Sequence, residues 1–102
     1  MTARLEARPQ ITEAQFLRQV LQVARLFHWR PYHPALSKWS ERGWPDLALC
    51  RPPRLLLVEL KSERGKVTPQ QQEWLDDLGR CPGVESFVWR PHDFESIVEI
   101  LR

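Results

Sequence analysis

Long apolar runs are missing from this 102-residue chain. The longest, Leu47–Cys50 and Leu55–Val58, hold four residues each, far short of the roughly 20 a membrane-spanning helix needs, so no membrane segment is expected. The N-terminus, Met-Thr-Ala-Arg-Leu-Glu-Ala-Arg-Pro, lacks the apolar core of a secretory signal. Cysteine is scarce. Cys50 and Cys81 stand 31 positions apart, with no CxxC and no Cys/His cluster, which argues against structural zinc or a disulfide framework and fits a reducing cytoplasm. Cys50 reads as an inert, buried strand residue. Internal repeats and low-complexity tracts are absent, and no base-reading module is visible.

Charge of one sign is lacking overall, with Lys+Arg 15 against Asp+Glu 13, but its distribution is uneven. Residues 18–54 carry Arg18, Arg25, Arg30, Lys38, Arg42, Arg51 and Arg54 against Glu41 and Asp46, a local +5; residues 55–102 carry a local −3. A half-basic small domain suits a polyanionic partner; coding bias toward arginine is the alternative. Five Trp, four Phe and 42% hydrophobic residues supply core for one domain and exclude both disorder and a second domain.

Residues 1–10 read as a flexible tail and 11–102 as the single domain. Thr12 and Gln15 make a capping box, with Ile11 and Phe16 as its hydrophobic staple. Phe16, Leu17, Val20, Leu21, Val23, Ala24 and Phe27 then recur at helical spacing, predicting a helix from Thr12 to about Phe27. Strands are expected at Trp29–His33, Pro45–Cys50, Leu55–Lys61 and Val84–Trp89. The Leu55 strand is apolar on both faces and therefore central. A second helix opens at Thr68-Pro69-Gln70-Gln71, packs through Trp74, Leu75 and Leu78, and stops at Gly79. A short helix over His92–Leu101 turns Phe94, Ile97, Val98 and Leu101 inward. The order is α-β-β-β-α-β-α, an α/β fold with a small mixed sheet flanked by helices.

Charges interrupt these strands at one place. Glu59 and Lys61, at i and i+2, point to the same sheet face, and an unpaired charge buried there costs several kcal/mol. Antiparallel pairing brings Asp46, at the start of the preceding strand, alongside Glu59. Two carboxylates are a hard-oxygen pair suited to Mg²⁺ or Mn²⁺, an ion that polarises a phosphodiester and lowers the pKa of bound water. Lys61 beside them would orient the attacking water or hold a phosphate oxygen. A Glu59–Lys61 or Asp46–Lys61 ion pair without catalytic purpose is the competing reading.

Gly43-Trp44-Pro45-Asp46 followed, after twelve residues, by Glu59-Leu60-Lys61 resembles the PD-(D/E)xK signature of restriction-endonuclease-like nucleases. Thr12-Glu13, Phe16, Val20, Ala24, Trp29, Gly65, Thr68-Pro69-x-Gln71-x-x-Trp74-Leu75 and Val88-Trp89-Arg90-Pro91 extend the resemblance to the VRR-NUC branch, in particular its small stand-alone phage and bacterial members, over roughly 11–92. The resemblance implies a restriction-endonuclease-like core. It makes Asp46, Glu59 and the Leu60 carbonyl metal ligands, Lys61 the catalytic lysine, Glu13 an acid completing the site directly or through water, and Gln71 the family's helix glutamine. Gln71 also reads as a capping residue reaching back to Thr68, and Glu13 as a first-turn acid favoured by the helix dipole.

Lys38, Trp39, Arg42 and Trp44, just ahead of Asp46, and Arg64 and Lys66, just after Lys61, are candidate DNA contacts. His33 would sit near the site without a catalytic role. The expected activity is Mg²⁺-dependent endonucleolytic hydrolysis of DNA, with Mn²⁺ as substitute. The resemblance implies a branched substrate such as a four-way junction, cut by a homodimer, in a bacterial or phage-infected cytoplasm. Alternatives are a flap, nick or general DNA endonuclease working with a helicase partner, a catalytically silent junction-binding module, and a small interaction domain built around a buried ion pair.

Overall fold

A computed structural model describes residues 10–34 and 41–102. Most of the expected N-terminal tail, and with it Lys38 and Trp39, lies outside the described residues. Helix α1 (Glu13–Leu26) begins as its sequence dictates: the Thr12 hydroxyl accepts from the Gln15 N–H at 3.1 Å, and Gln15 Oε1 accepts from the Thr12 N–H at 2.8 Å. Its end has no sequence signal. His28 adopts φ 70°, and the Trp29 and His28 amides donate to the Ala24 and Arg25 carbonyls at 2.9 and 3.0 Å, the two bonds of a Schellman stop usually built on glycine.

Strands β1 (Arg30–Tyr32), β2 (Leu47–Arg51), β3 (Arg54–Leu60) and β4 (Val84–Trp89) form one sheet in the order β1-β2-β3-β4. β1 and β2 pair antiparallel, as do β2 and β3; β3 and β4 run parallel. Helix α2 (Pro69–Gly79) makes the crossover between the parallel pair, and α3 (Phe94–Leu101) follows a 3-10 turn at Pro91–Asp93. β3 is central, as its two-sided apolar composition requires, and Leu56 to Leu60 are all buried. Alternation divides it. Leu56, Val58 and Leu60 join Phe16, Val20 and Ala24 of α1, Leu47 and Leu49 of β2, and Ile97 and Leu101 of α3 in the main core. The intervening residues, Leu57 and Glu59, point to the opposite face.

Several details differ from expectation. The strand expected over Trp29–His33 is confined to Arg30–Tyr32, and Pro45 and Asp46 stand just ahead of β2, which leaves the Asp46 carboxylate free to turn back toward β3. Gly79 is the last residue of α2, not its left-handed stop; a Cβ there would lie 2.9 Å from Ser86 Oγ, so it permits close packing of α2 on β4, where Ser86 Oγ donates to the Leu75 carbonyl at 2.9 Å. Leu75 is buried, whereas Trp74 and Leu78 are only half-buried. Phe94, at the first turn of α3, is exposed rather than inward, and Cys50 is half-buried.

Two arginines counted in the basic half are spent on the fold. Arg51 Nη1 donates to the Phe27 and Leu101 carbonyls at 2.9 and 3.1 Å, tying the ends of α1 and α3 together, and its guanidinium lies 4.4 Å from the Trp29 ring centre. Arg54 forks onto Glu85 with two 2.8 Å bonds.

One glycine is indispensable to the architecture. Gly43 has φ +90°, and a Cβ there would meet the Gln70 carbonyl carbon and oxygen at 2.6 and 2.7 Å. The chain leading to Asp46 therefore lies directly on the first turn of α2. Gly43→Ala should cost about 2–4 kcal/mol from left-handed strain plus overpacking, read as a lowered midpoint in urea unfolding.

Candidate active site

The charged residues of the sheet converge where β3 ends and β2 begins. The register pairs Leu47 with Val58, so Asp46 stands beside Glu59, and Asp46 Oδ2 accepts from the Leu60 N–H at 2.9 Å. That bond holds the aspartate across the top of β3. Glu59 is 2% exposed. Its Oε2 lies 3.4 Å from Lys61 Nζ and accepts from Gln71 Nε2 at 2.9 Å. Lys61 is itself mostly buried, with 12% of its side chain exposed. Its N–H continues the sheet ladder to the Trp89 carbonyl at 3.0 Å. The inferred same-face placement of Glu59 and Lys61 is what the structure shows.

Gln71 fills two positions at once. It is the third residue of α2, and its Oε1 accepts from the Thr68 N–H at 2.9 Å while its own N–H donates to Thr68 Oγ1 at 3.1 Å. The amide nitrogen left over by this capping box is the one that reaches Glu59. Glutamate would cap α2 equally well but would bring a third carboxylate to the pair. Gln71→Glu should thus match the parent protein at pH 5, where a proton can be shared. At pH 8 it should lose about 1–3 kcal/mol from the unmatched buried group, measured by thermal unfolding at the two pH values.

Charge at this point is out of balance. Two carboxylates face one ammonium, and Glu59 Oε1, fully buried, has no hydrogen-bond partner among the described residues. Burial and then the neighbouring Asp46 push the Glu59 carboxyl up to about 8, with Lys61 opposing the shift. Buried polar oxygens without partners are rare in folded proteins, and a divalent cation is the kind of group that such a surplus of hard oxygens accepts. The donor set fits one in part. No three His, Cys, Asp or Glu side chains are gathered as a metal site among the described residues, so a cation here would depend on Asp46, Glu59, main-chain oxygen and water.

The other sequence candidates fall around this centre. Glu13, exposed in the first turn of α1, lines an open cleft of about 370 Å³ together with Ala14, Leu17, His33, Asp46 and Leu60. It faces the site across the cleft without joining the Asp46–Glu59 pair. Arg64 and Lys66 are exposed on the chain after Lys61. Arg42 is exposed in a groove shared with Glu41, Glu73 and Asp77, carboxylates that offset its charge. Trp44 packs edge-on against Trp74 with ring centres 4.9 Å apart. Trp89 is buried beside Phe87.

Arg90 carries a role that spacing does not reveal. It follows the last residue of β4 and reaches across to the chain leaving β3, where Nη1 donates to the Ser62, Glu63 and Gly65 carbonyls at 2.8, 3.3 and 2.7 Å. A long-range bond between a side chain and main-chain carbonyls has no periodic signature; only its position after Trp89 in the resemblance marked it out.

No helix among the described residues is long and apolar enough to cross a membrane. A solved structure described as a VRR-NUC domain protein superposes with a TM-score of 0.60 over 91% of this chain and 87% of its own, at 20% identity, which shows a shared fold. No curated protein is significantly similar in sequence. Residues 9–92, from ahead of α1 to beyond β4, match the model of the VRR-NUC domain, and the chain belongs to this family of nucleases.

Proposed function

We propose that the chain is a divalent-metal-dependent, structure-selective DNA endonuclease that cuts branched DNA as a homodimer. The observation that carries the reading is the Asp46–Glu59–Lys61 cluster at one end of the sheet, in which a buried carboxylate oxygen has no partner among the described residues. Asp46, Glu59 and the Leu60 carbonyl would hold Mg²⁺ or Mn²⁺, with Glu13 contributing through water. When bound, such an ion neutralises charge on the scissile phosphate and favours deprotonation of water.

The protein's own groups supply position and charge. Asp46 is fixed by the Leu60 N–H, and Glu59 by Gln71, so neither carboxylate has to be ordered when substrate arrives. The Lys61 ammonium meets the phosphate oxygens as negative charge grows on them. Hydrolysis adds water across one P–O ester bond. Arg64, Lys66 and Lys38 contribute phosphate contacts along the strand, which hold DNA without reading its sequence, and Arg42 contributes a weaker one, its charge offset by Glu41, Glu73 and Asp77. With no base-reading module in the sequence, recognition of DNA shape is favoured over recognition of sequence, and the resemblance to the family's small stand-alone members implies that the shape is branched. Two symmetric nicks need two sites and hence two copies. Leu26 at the end of α1 and Tyr32 on edge strand β1, 69% and 65% exposed, offer apolar surface for the second.

The test is cleavage of a labelled panel of four-way junction, flap, nicked duplex, linear duplex and single strand with Mg²⁺ or Mn²⁺, with EDTA and Lys61→Ala as controls. Paired symmetric nicks confined to the junction, and lost with either control, are expected. Metal-dependent cutting of flaps or plain duplex would keep the nuclease and overturn the junction. Junction binding without cutting would leave a binding module.

A further inference from the structure

We infer that Arg90 is a positioning residue for Lys61, acting through the chain segment that walls the lysine stem; this rests on the nuclease reading above. After its last ladder bond to the Trp89 carbonyl, Lys61 leaves the sheet, and nothing in β-pairing holds the residues that follow. Yet 62–65 curl tightly. The Gly65 N–H donates to Ser62 Oγ at 3.1 Å and to the Ser62 carbonyl at 3.3 Å. At Gly65 the backbone runs alongside the lysine stem: an added Cβ would make ordinary van der Waals contact with Lys61 Cδ at 3.4 Å and a tight one with Ser62 Oγ at 3.1 Å.

The curl turns three carbonyls inward, and one guanidinium nitrogen, Arg90 Nη1, meets all of them. Carbonyl dipoles focused on a cation are held by charge-assisted bonds, stronger than neutral ones, and without the cation they would repel one another. A second tie lies beside the first, where His92 Nδ1 stands 2.5 Å from Glu63 Oε1. Arg90 is in turn anchored, since its own N–H donates to Asp93 Oδ2 at 2.9 Å.

The consequence reaches the reaction centre through the lysine stem. A four-carbon chain has wide rotamer freedom, and the Lys61 ammonium is found 3.4 Å from Glu59 Oε2, beside the pair of carboxylates where the phosphate would be bound. The 62–65 curl, with Gly65 running alongside the stem, limits that freedom on one side. Arg90 keeps the curl in place, and it touches neither carboxylate.

Hydrogen exchange and kinetics on Arg90→Ala and Arg90→Lys test this. In the folded metal-free protein, Arg90→Ala should speed exchange at residues 62–66 more than at the β3 amides, with Arg90→Lys between it and the parent. With a cleavable DNA, Arg90→Ala should lower kcat by up to about 10²-fold, the scale for a misplaced catalytic group, with KM nearly unchanged, and Arg90→Lys should recover part of the loss. Unchanged exchange over 62–66, or a lowered Tm with parental kcat, would overturn the inference and leave Arg90 a stabilising residue only. If Arg90→Ala does not fold, Arg90→Lys alone decides through the same two readouts. A parent protein that cuts no DNA would sink the nuclease reading, while exchange would still judge the clamp.

Discussion

Replacing Lys61 by alanine is expected to lower kcat for DNA cleavage by about 10²–10³-fold, the usual loss when a preorganised group facing developing charge is removed. KM should change little, because the proposed DNA contacts, Arg64 and Lys66 among them, are exposed residues outside the Asp46–Glu59–Lys61 cluster. The fold should survive. Removing one partner of a buried ion pair ordinarily costs about 3–5 kcal/mol through the charge left behind, but Glu59 can take up a proton instead, since its carboxyl is already pushed up to about 8. The Gln71 contact to Glu59 remains. Steady-state cleavage beside thermal unfolding separates the two effects. A variant that melts lower yet cuts at the parental rate would reduce Lys61 to a counter-ion.

The second large effect concerns stability against pH. Glu59 has a folded pKa of about 8 against an ordinary value of 4.5. A carboxyl raised in this way is favoured when protonated. In the metal-free protein this group's contribution to stability is therefore full below about pH 4.5, is lost as pH rises through 8, and levels off above. The shift corresponds to at most about 4–5 kcal/mol, a large part of the roughly 5–15 kcal/mol a small domain possesses.

Glu59→Gln removes the titration and keeps the shape. Its metal-free Tm should fall much less than the parent's between pH 5 and 8, the residual slope belonging to His92, which Glu63 and Asp93 hold above its ordinary value, and should exceed the parent's at pH 8, by roughly 4–8 °C for each kcal/mol recovered. Adding Mg²⁺ or Mn²⁺ should raise the parent's Tm at pH 8, because a cation that binds only the folded state stabilises it by mass action, and should do nothing for Glu59→Gln. Thermal melts with and without EDTA measure both. A parent curve without slope over this range would show that Glu59 is charged and satisfied without metal, and the cation reading would fail with it. A site that gains in stability when its central carboxylate is neutralised carries that charge for function.

Much of this was legible from residue order. The capping boxes at Thr12 and Thr68 set both helix starts to the residue, because a cap is a local hydrogen-bond exchange within four positions. The centrality of β3 followed from its two-sided apolar composition, and the pairing of Asp46 with Glu59 from antiparallel geometry. Where the sequence misled, the cause was non-local. Gly79 serves packing against Ser86 rather than a turn, and the +5 of residues 18–54 is partly consumed by Arg51 and Arg54 in holding helix ends and Glu85; the end of α1 fell where periodicity placed it, but on a Schellman stop at His28 that no residue type announced.

The sequence by itself determined the order of elements, the helix starts and the identity of the charged cluster, since each depends on periodicity, caps and alternation over a few neighbouring residues. Only the tertiary structure decided how deeply Glu59 is buried, that one oxygen of it has no partner among the described residues, that Gln71 can cap a helix and hold Glu59 with opposite ends of one amide, and that Arg90 gathers three carbonyls beside Lys61. Those facts depend on distances between residues 12 to 28 positions apart, and such distances exist only once the sheet has set its register and the helices have closed over it.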